Sequence, residues 1–366
     1  WRVQTLSDIK HIPLLKKKEL IFLQSIGPRL GGLLTKDIGE LKRIFLSPGP
    51  IFDPEDRMDD YWGYTEAFYS VGFRPGDVVQ VTFNYHLSPA GLMFEEPLRN
   101  LGCASIPAGP TDPGTQLDIM QKLRVSGYVG TASYLMHLAQ KAEEKGINLR
   151  KDLFQEVAFV TGERLSEKMR NQLEKKFDII LRQGYGTADV GCIGYECFHK
   201  TGLHISNRCY VEICHPDTGI PLKDGEVGEI VVTSFNKTYP LIRLATGDLS
   251  YIDRAPCACG RTSPRLGSIV GRVDTTARIK GMFVYPHQVE QVMARFEDIK
   301  RWQIEVINPG GIDEMILYVE ASNFHQEDEL LHLFRERIKL RPELKVLAPG
   351  TLPPQIKPIE DKREWD

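Results

Sequence analysis

Short apolar runs alternate with amphipathic stretches from about Pro75 to Val160. DVVQVTFNY (77–85) reads as a strand, and SPAGLMFEEPLRNLG (88–102) as a helix closed by Gly102. CASIPAG (103–109) is the next strand and PGTQLDIMQKLRVSG (113–127) the next helix. In YVGTASYLMHLAQKAEEKG (128–146) a strand turns into a third helix, and QEVAFVTG (155–162) is again a strand. Strands that alternate with helices of about 10–15 residues imply right-handed crossovers and a mostly parallel sheet. Ligands of such a sheet bind at the C-terminal ends of its strands.

After Tyr185 the pattern becomes β-rich, with CYVEICHPDTG (209–219), GEVGEIVVTSF (225–235) and LIRLATGDLSYID (241–253) divided by Asp-Gly and Thr-Gly turns. VGRVDTTARIKG (270–281) reads as a joint into a last α+β module, made of a helix (285–296), a hairpin (301–321) and a second helix (327–341). Near the start, RIFLSPGPIFDPE (43–55) reads as a short apolar strand running into a loop. Gly49 and the Ser47 hydroxyl suit an anion, yet Pro48 and Pro50 each remove an amide donor, so a stiff turn and a ligand-holding loop both remain open.

Composition narrows the class. The 366 residues suffice for two or more domains, and 42% hydrophobic with 26% charged residues and a net charge of -3 describes a soluble globular chain. No basic balance argues for nucleic acid, and no apolar run approaches the roughly 20 residues of a membrane helix. No signal-peptide pattern is visible, and the chain opens on Trp1 rather than Met, which leaves open what precedes Trp1. The expected location is the cytoplasm.

The seven cysteines are placed unevenly. Cys103 stands alone, and the other six fall between Cys192 and Cys259 beside His199, His204 and His215. ECFHKTGLH (196–204) and PCACGR (256–261) are each too short to hold a metal, but Cys197, His204, Cys257 and Cys259 together supply three thiolates and an imidazole. That is a tetrahedral zinc set with no position left for water, hence structural. Reduced cysteines in a core are the plainer reading. Cys192, Cys209 and Cys214 read as core, with His199 and His215 as reserve ligands.

Four strings then occur in one order: VTGERLSEKMRNQLEKKF (160–177), GYGTADVG (184–191), LIRLATGDL (241–249) and GRVDTTARIKGMFVYPHQVE (271–290). They resemble the adenine loop, the Tyr-Gly-x-x-Glu motif, the Arg-x-x-Thr-Gly-Asp motif and the hinge of adenylate-forming enzymes. KTGLHI, HPDTG, GEVGEIVVTS and FVYPHQVE resemble phenylacetate-CoA ligases within that superfamily, and the likeness runs from LSDIKHIPLLKKKEL (6–20) to the end. The resemblance implies an α/β fold. A large N-terminal AMP-binding domain (1–272) would combine mostly parallel sheets, flanking helices and a β-rich subdomain, followed by a small α+β lid (273–366). The implied activity is ATP-dependent, AMP-forming activation of an aromatic or other carboxylic acid with transfer to CoA.

The same resemblance assigns Gly162, Glu163, Tyr185, Gly186, Thr187, Asp248 and Arg272 to the nucleotide, with Ser47 and Gly49 at its phosphates. It assigns Asp189 to Mg2+, Lys357 to adenylation, Asp274 to the hinge, and His86 in FNYHLSPAGLM (83–93) to the acid pocket. The residue types agree: a tyrosine ring stacks on a base, glycines admit close backbone approach, an aspartate accepts from ribose hydroxyls, and an arginine reaches ribose or phosphate. Singly, Tyr185 reads as a core aromatic, Asp248 as a turn residue, Arg272 as a surface ion pair and His86 as a structural histidine.

Three departures from the family pattern fall on phosphate chemistry. LSPGPIFDP lacks the hydroxyl-rich, lysine-ended loop; Ala188 and Asp189 replace a hydroxyl residue and Glu; and the C-terminus is shortened where the adenylating lysine belongs, leaving Lys357 or Lys362. A second reading is therefore a weakened homologue that binds AMP, acyl-CoA or a partner protein without efficient adenylation. The expected partners are small molecules, with neither nucleic acid nor membrane; the oligomeric state is open, and a homodimer is compatible with the family.

Overall fold

The structure is a computed structural model and describes residues 4–47, 50–279, 282–309 and 313–363. It contains two compact units: residues 1–246 with 251–268, and residues 247–250 with 269–366.

The first unit is built on a nine-stranded sheet. Its parallel half runs in the order Ala104–Pro107, Val78–Val81, Gly127–Gly130, Val157–Val160 and Ile180–Thr187. Residues on alternate sides of these strands enter different cores, as the period of two requires. Val79, Val81, Val129 and Phe159 join an aromatic cluster with Trp62, Tyr64, Phe68 and Phe94, while Tyr128, Ala158, Val160 and Leu181 pack with Leu117, Leu135 and Leu173. Burial on both faces explains why the central strands Gly127–Gly130 and Val157–Val160 read as apolar runs.

The crossover helices begin where capping residues dictate. Asp112, Thr131 and Ser166 each accept a backbone N–H of the first turn, ahead of Pro113–Lys122, Ala132–Glu144 and Glu167–Phe177. The last of these is tied to the sheet by a buried two-pronged pair, Arg170 to Glu196, at 2.7 and 2.9 Å.

Strand Ile180–Thr187 carries the change of direction. Its first half pairs in parallel with Val157–Val160, and its second half pairs antiparallel with Gly191–Glu196, with a register shift between Tyr185 and Gly186. The sheet then continues antiparallel through Leu203–Ile205, Arg265–Leu266 and Ile252–Asp253. A second sheet in the order Leu15–Lys16, Leu244–Ser250, Gly228–Ser234 and Cys209–Cys214 accounts for the β-rich texture after Tyr185. Strand 244–250 starts three residues later than the apolar run because Arg243 adopts φ 51°. In that left-handed turn its guanidinium donates to the carbonyls of Lys10, Ile12 and Gly219 and pairs with Glu212.

Two expectations change. Residues 51–55 are not loop: Ile51–Glu55 pairs antiparallel with Arg43–Ser47 from Arg43↔Glu55 to Ser47↔Ile51. Strand 77–85 shrinks to Val78–Val81, since beyond it the Asn84 side chain accepts the His86 amide and the backbone turns.

In the second unit, Glu343–Leu347, Glu314–Glu320, Arg301–Ile307 and Ile359–Asp361 form a sheet in that order. Helices Pro286–Met293 and Glu327–Ile338 cover it through Val289, Val292, Leu330 and Phe334. The helix, hairpin and helix expected there are present, with somewhat shorter bounds.

Candidate functional site

In the first unit the expected nucleotide residues gather where strands 157–160 and 180–187 end, the edge at which parallel sheets take ligands. Gly162 has φ 83°, and a Cβ there would stand 3.6 Å from the Phe83 ring. The Glu163 carboxylate accepts from the Ser133 amide at 2.6 Å and its hydroxyl at 2.8 Å, so it acts as a cap on helix Ala132–Glu144. Tyr185 is half-buried beside the register shift. Gly186 is required by packing: a Cβ would lie 2.2 Å from the Tyr64 hydroxyl and 2.3 Å from the Gly191 carbonyl. The Thr187 hydroxyl accepts the Val190 amide at 3.3 Å and closes the turn that carries Asp189.

Asp189 does not stand alone. Its Oδ2 is 2.8 Å from Lys17 Nζ, and its Oδ1 is buried with no hydrogen-bond partner among the described residues. Asp53, on the inward face of strand 51–55 and 1% exposed, leaves both carboxylate oxygens without a partner as well. Burial, and next the Asp189 charge, push the Asp53 carboxyl up to about 8, against the pull of the Ser47 hydroxyl and Lys17. Ser47 is itself buried and directs its hydroxyl to the Ile51 carbonyl at 3.4 Å, within its own hairpin. Gly49 lies outside the described residues, and the His86 side chain is exposed. An unmet, buried carboxylate oxygen on Asp189 suits a hard cation such as Mg2+, although the other oxygen already holds an ammonium.

In the second unit Arg272 binds Asp248 and Asp274 at 2.9 Å each, and strand residues Asp248 and Arg272 are register partners. Lys357 is exposed just ahead of strand 359–361, whereas Lys362 pairs with Glu305 at 2.6 Å.

The cysteine cluster assembles as a unit. Cys197 directly follows strand Gly191–Glu196, His204 lies on its neighbour Leu203–Ile205, and Cys257 and Cys259 come from the turn closed by the Gly260 amide on the Cys257 carbonyl. All four ligand atoms lie within 4.8 Å of one another, with Cys197 Sγ 3.7 Å from Cys257 Sγ and Cys259 Sγ 3.4 Å from His204 Nε2. Zn–S bonds of about 2.3 Å and Zn–N bonds of about 2.05 Å place tetrahedral sulfurs about 3.8 Å apart, and sulfur and nitrogen about 3.6 Å apart. The observed spacings fit such an ion. Burial opposes ionisation of Cys257, yet hydrogen bonds from Cys259, His204 and Thr201 outweigh it and bring that thiol down to about 5. Burial holds Cys197 up at about 11. His204 Nδ1 is 3.3 Å from the Ser263 hydroxyl, which orients the ring with Nε2 toward the sulfurs. Cys192, Cys209 and Cys214 are buried core residues, while the His199 side chain is exposed and is not among the four converging groups.

Lys17, Asp53 and Ser263 were not foreseen. Only Asp53 left a local signal, because the alternation of Ile51, Asp53 and Glu55 points an acid inward.

This architecture is that of an adenylate-forming enzyme. Residues 62–237 match the AMP-binding enzyme family, and residues 281–363 match the AMP-binding enzyme C-terminal domain. The chain is 30% identical to a phenylacetate-coenzyme A ligase of Thermus thermophilus over 95% of its own length and 84% of that protein's. It is 28% identical to the phenylacetate-coenzyme A ligase of Escherichia coli, over 80% and 71% of the two lengths. In fold it resembles 2-hydroxyisobutyryl-CoA ligase, solved with 2-HIB-AMP and CoA, at a TM-score of 0.85 and 22% identity over 98% of this chain and 84% of that one. ATP-bound MatB from Rhodopseudomonas palustris follows at 0.62 and 17% identity, over 89% and 67%. The chain belongs to the phenylacetate-CoA ligase family of AMP-binding enzymes.

Proposed function

We propose that the protein is an ATP-dependent, AMP-forming carboxylate-CoA ligase. A carboxylate oxygen attacks the α-phosphorus of ATP and expels pyrophosphate; the CoA thiol then attacks the acyl carbon and AMP leaves. The observation that carries this reading is the identity to a phenylacetate-coenzyme A ligase across 95% of the chain. An aromatic or other small carboxylic acid is the proposed substrate class.

Within this reading Tyr185 stacks on adenine over the Gly162 turn, and Glu163, Gly186 and Thr187 hold the loops around it. Asp248 and Arg272 serve ribose and phosphate, Lys357 the adenylation step, and residues from 273 onward form the lid that turns at Asp274. Asp189 would hold Mg2+, which supplies neutralisation of phosphate charge. The Cys/His set would hold structural Zn2+. Seven free thiols and the absence, among the described residues, of any helix long and apolar enough to cross a membrane fit a reducing compartment such as the cytoplasm.

Because Ser47 spends its hydroxyl inside its own hairpin, adenylation is expected to be slow; lost phosphate donors cost most in the transition state. The test is ATP–pyrophosphate exchange across a panel of carboxylic acids, with calorimetry of ATP, AMP and CoA. Exchange with at least one acid is expected. Binding of AMP or CoA without ATP binding or any exchange would establish the weakened-homologue reading instead.

A further inference from the structure

The last strands of the two large sheets of the first unit leave a cavity between them. Val211 comes from Cys209–Cys214, at the end of the second sheet, and Ile252 from Ile252–Asp253, at the end of the nine-stranded sheet. With Ile205 they give an apolar wall, and residues 260–264, which continue the turn of Cys257 and Cys259, give another side. The cavity has a volume of about 460 Å3, which is in the range of small-molecule sites, and no residue assigned above to the nucleotide lines it.

Three charged side chains line this cavity: Glu66, Arg254 and Arg261. Arg254 is matched by Asp224 at 2.7 Å, as the neighbouring Arg265 is by Asp253 at 2.6 Å. Arg261 has no carboxylate within ion-pair reach among the described residues, and its guanidinium carbon stands 5.7 Å from the centre of the Tyr195 ring. The hydroxyl of that buried tyrosine donates to Glu66 Oε1 at 2.5 Å, and Glu66 makes no ion pair among the described residues either. Tyr195 is therefore flanked by a carboxylate and a guanidinium that do not pair with each other.

Opposite charges that line one cavity without meeting suit a ligand that carries both. A guanidinium takes a carboxylate through two parallel N–H bonds, and a carboxylate accepts from an ammonium. An α-amino acid presents those two groups on one carbon, close enough to be met by side chains that flank a single ring. The wall of Ile205, Val211 and Ile252 then covers an apolar side chain.

We propose that this cavity binds a free α-amino acid with an apolar side chain, its carboxylate on Arg261 and its ammonium on Glu66. The site goes beyond the ligase reading and needs neither nucleotide nor CoA. The Tyr195 hydroxyl holds Glu66, and the turn that carries the Cys257 and Cys259 sulfurs positions Arg261. Ser263, whose hydroxyl meets His204 Nδ1, lines the same cavity, so the metal site and the amino-acid site share one turn.

The experiment is calorimetric titration of L-phenylalanine and of L-leucine into the full-length, zinc-loaded protein without nucleotide. Analogues that lack the ammonium (3-phenylpropionate, 4-methylpentanoate) or the carboxylate (phenethylamine, isopentylamine) are measured as competitors. At least one of the amino acids is expected to bind at one per chain, and each of its analogues about tenfold or more weakly, because hydrogen bonds to charged groups are the strong ones. Glu66→Gln, at an exposed position, should weaken the amino acid by about tenfold and leave its carboxylate analogue unchanged, whereas Arg261→Gln should weaken both. A general loosening of the fold does not produce that crossed pattern.

Lack of binding by both amino acids would overturn the proposal, as would an affinity that neither substitution changes or a carboxylate analogue that binds as tightly as the amino acid. If Arg261→Gln fails to fold or loses zinc, Glu66→Gln decides alone: weakening confined to the amino acid supports the site, and equal weakening of amino acid and analogue sinks it. Pyrophosphate exchange without amino-acid binding would remove this proposal alone, and amino-acid binding without exchange would remove the ligase reading alone.

Discussion

The cysteine cluster and the carboxylate cluster lie in the same unit, and both bury groups that water would solvate better. In the first, three sulfurs and an imidazole nitrogen converge within 4.8 Å, and Ser263 holds the far side of the ring. In the second, Lys17 pairs with Asp189 alone, and Asp53 and Asp189 leave three oxygens unmet among the described residues. The contrast separates four groups that converge on one point from two acids of which only one has a charged partner. A Cys197 thiol kept protonated by burial and a Cys257 thiolate held by hydrogen bonds can wait for zinc at little electrostatic cost. Two buried carboxylates cannot wait without either a proton or a cation.

The strongest way to break the contrast is to remove the metal side of it. Cys257→Ser combined with Cys259→Ser should reduce zinc from one ion per chain to a trace in metal analysis. It should also lower the thermal midpoint by about 10 °C, since binding energy at a structural zinc is folding energy. Full zinc in the double variant, or substoichiometric zinc in wild type purified without added metal, would leave only buried thiols.

A smaller effect is expected on the carboxylate side, and its sign follows from the direction of the shift. Asp53 is raised from 3.8 to about 8 in the folded chain. The folded state therefore binds the proton more tightly than the unfolded one. Its contribution to stability is present below about pH 4 and is lost as pH rises through about 8. Asp53→Asn should match wild type near pH 4 and exceed it by about 1–3 kcal/mol at pH 8, in urea unfolding without added divalent ions. Parallel pH profiles for the two proteins would mean that Asp53 is ionised and satisfied.

The smallest change should come from Ser263→Ala. Loss of the hydroxyl on His204 Nδ1 is expected to speed zinc release to a chelator by about tenfold while the thermal midpoint of the loaded protein hardly moves. An unchanged release rate would show that the ring is oriented by packing alone.

The two clusters were also unequally visible in the sequence. Cysteine and histidine are rare, and their bunching between Cys192 and Cys259 brought together the four residues that the structure places in reach of one another. The central parallel strands were visible for a related reason: burial on both faces of Gly127–Gly130 and Val157–Val160 writes an apolar run. Their ends were less so, because the side chain of Asn84, not hydropathy, turns the chain away from strand Val78–Val81. Strand Ile51–Glu55 was hidden by Pro54, which pairs opposite Ile44 within a two-stranded ribbon. The contact between Lys17 and Asp189 joins residues far apart in sequence through tertiary packing, and no local period carries such information.

The pairing of Leu15 and Lys16 with Leu244 and Ala245 also has a place in time. Lys17 follows that strand directly, so its position beside Asp189 is set only after roughly 230 further residues have been made. At a synthesis rate of about 5–20 residues per second, the early segment waits roughly ten to fifty seconds for its partner. Asp189 is also made before that strand, so acid and lysine are both on the growing chain before the pairing that holds them side by side.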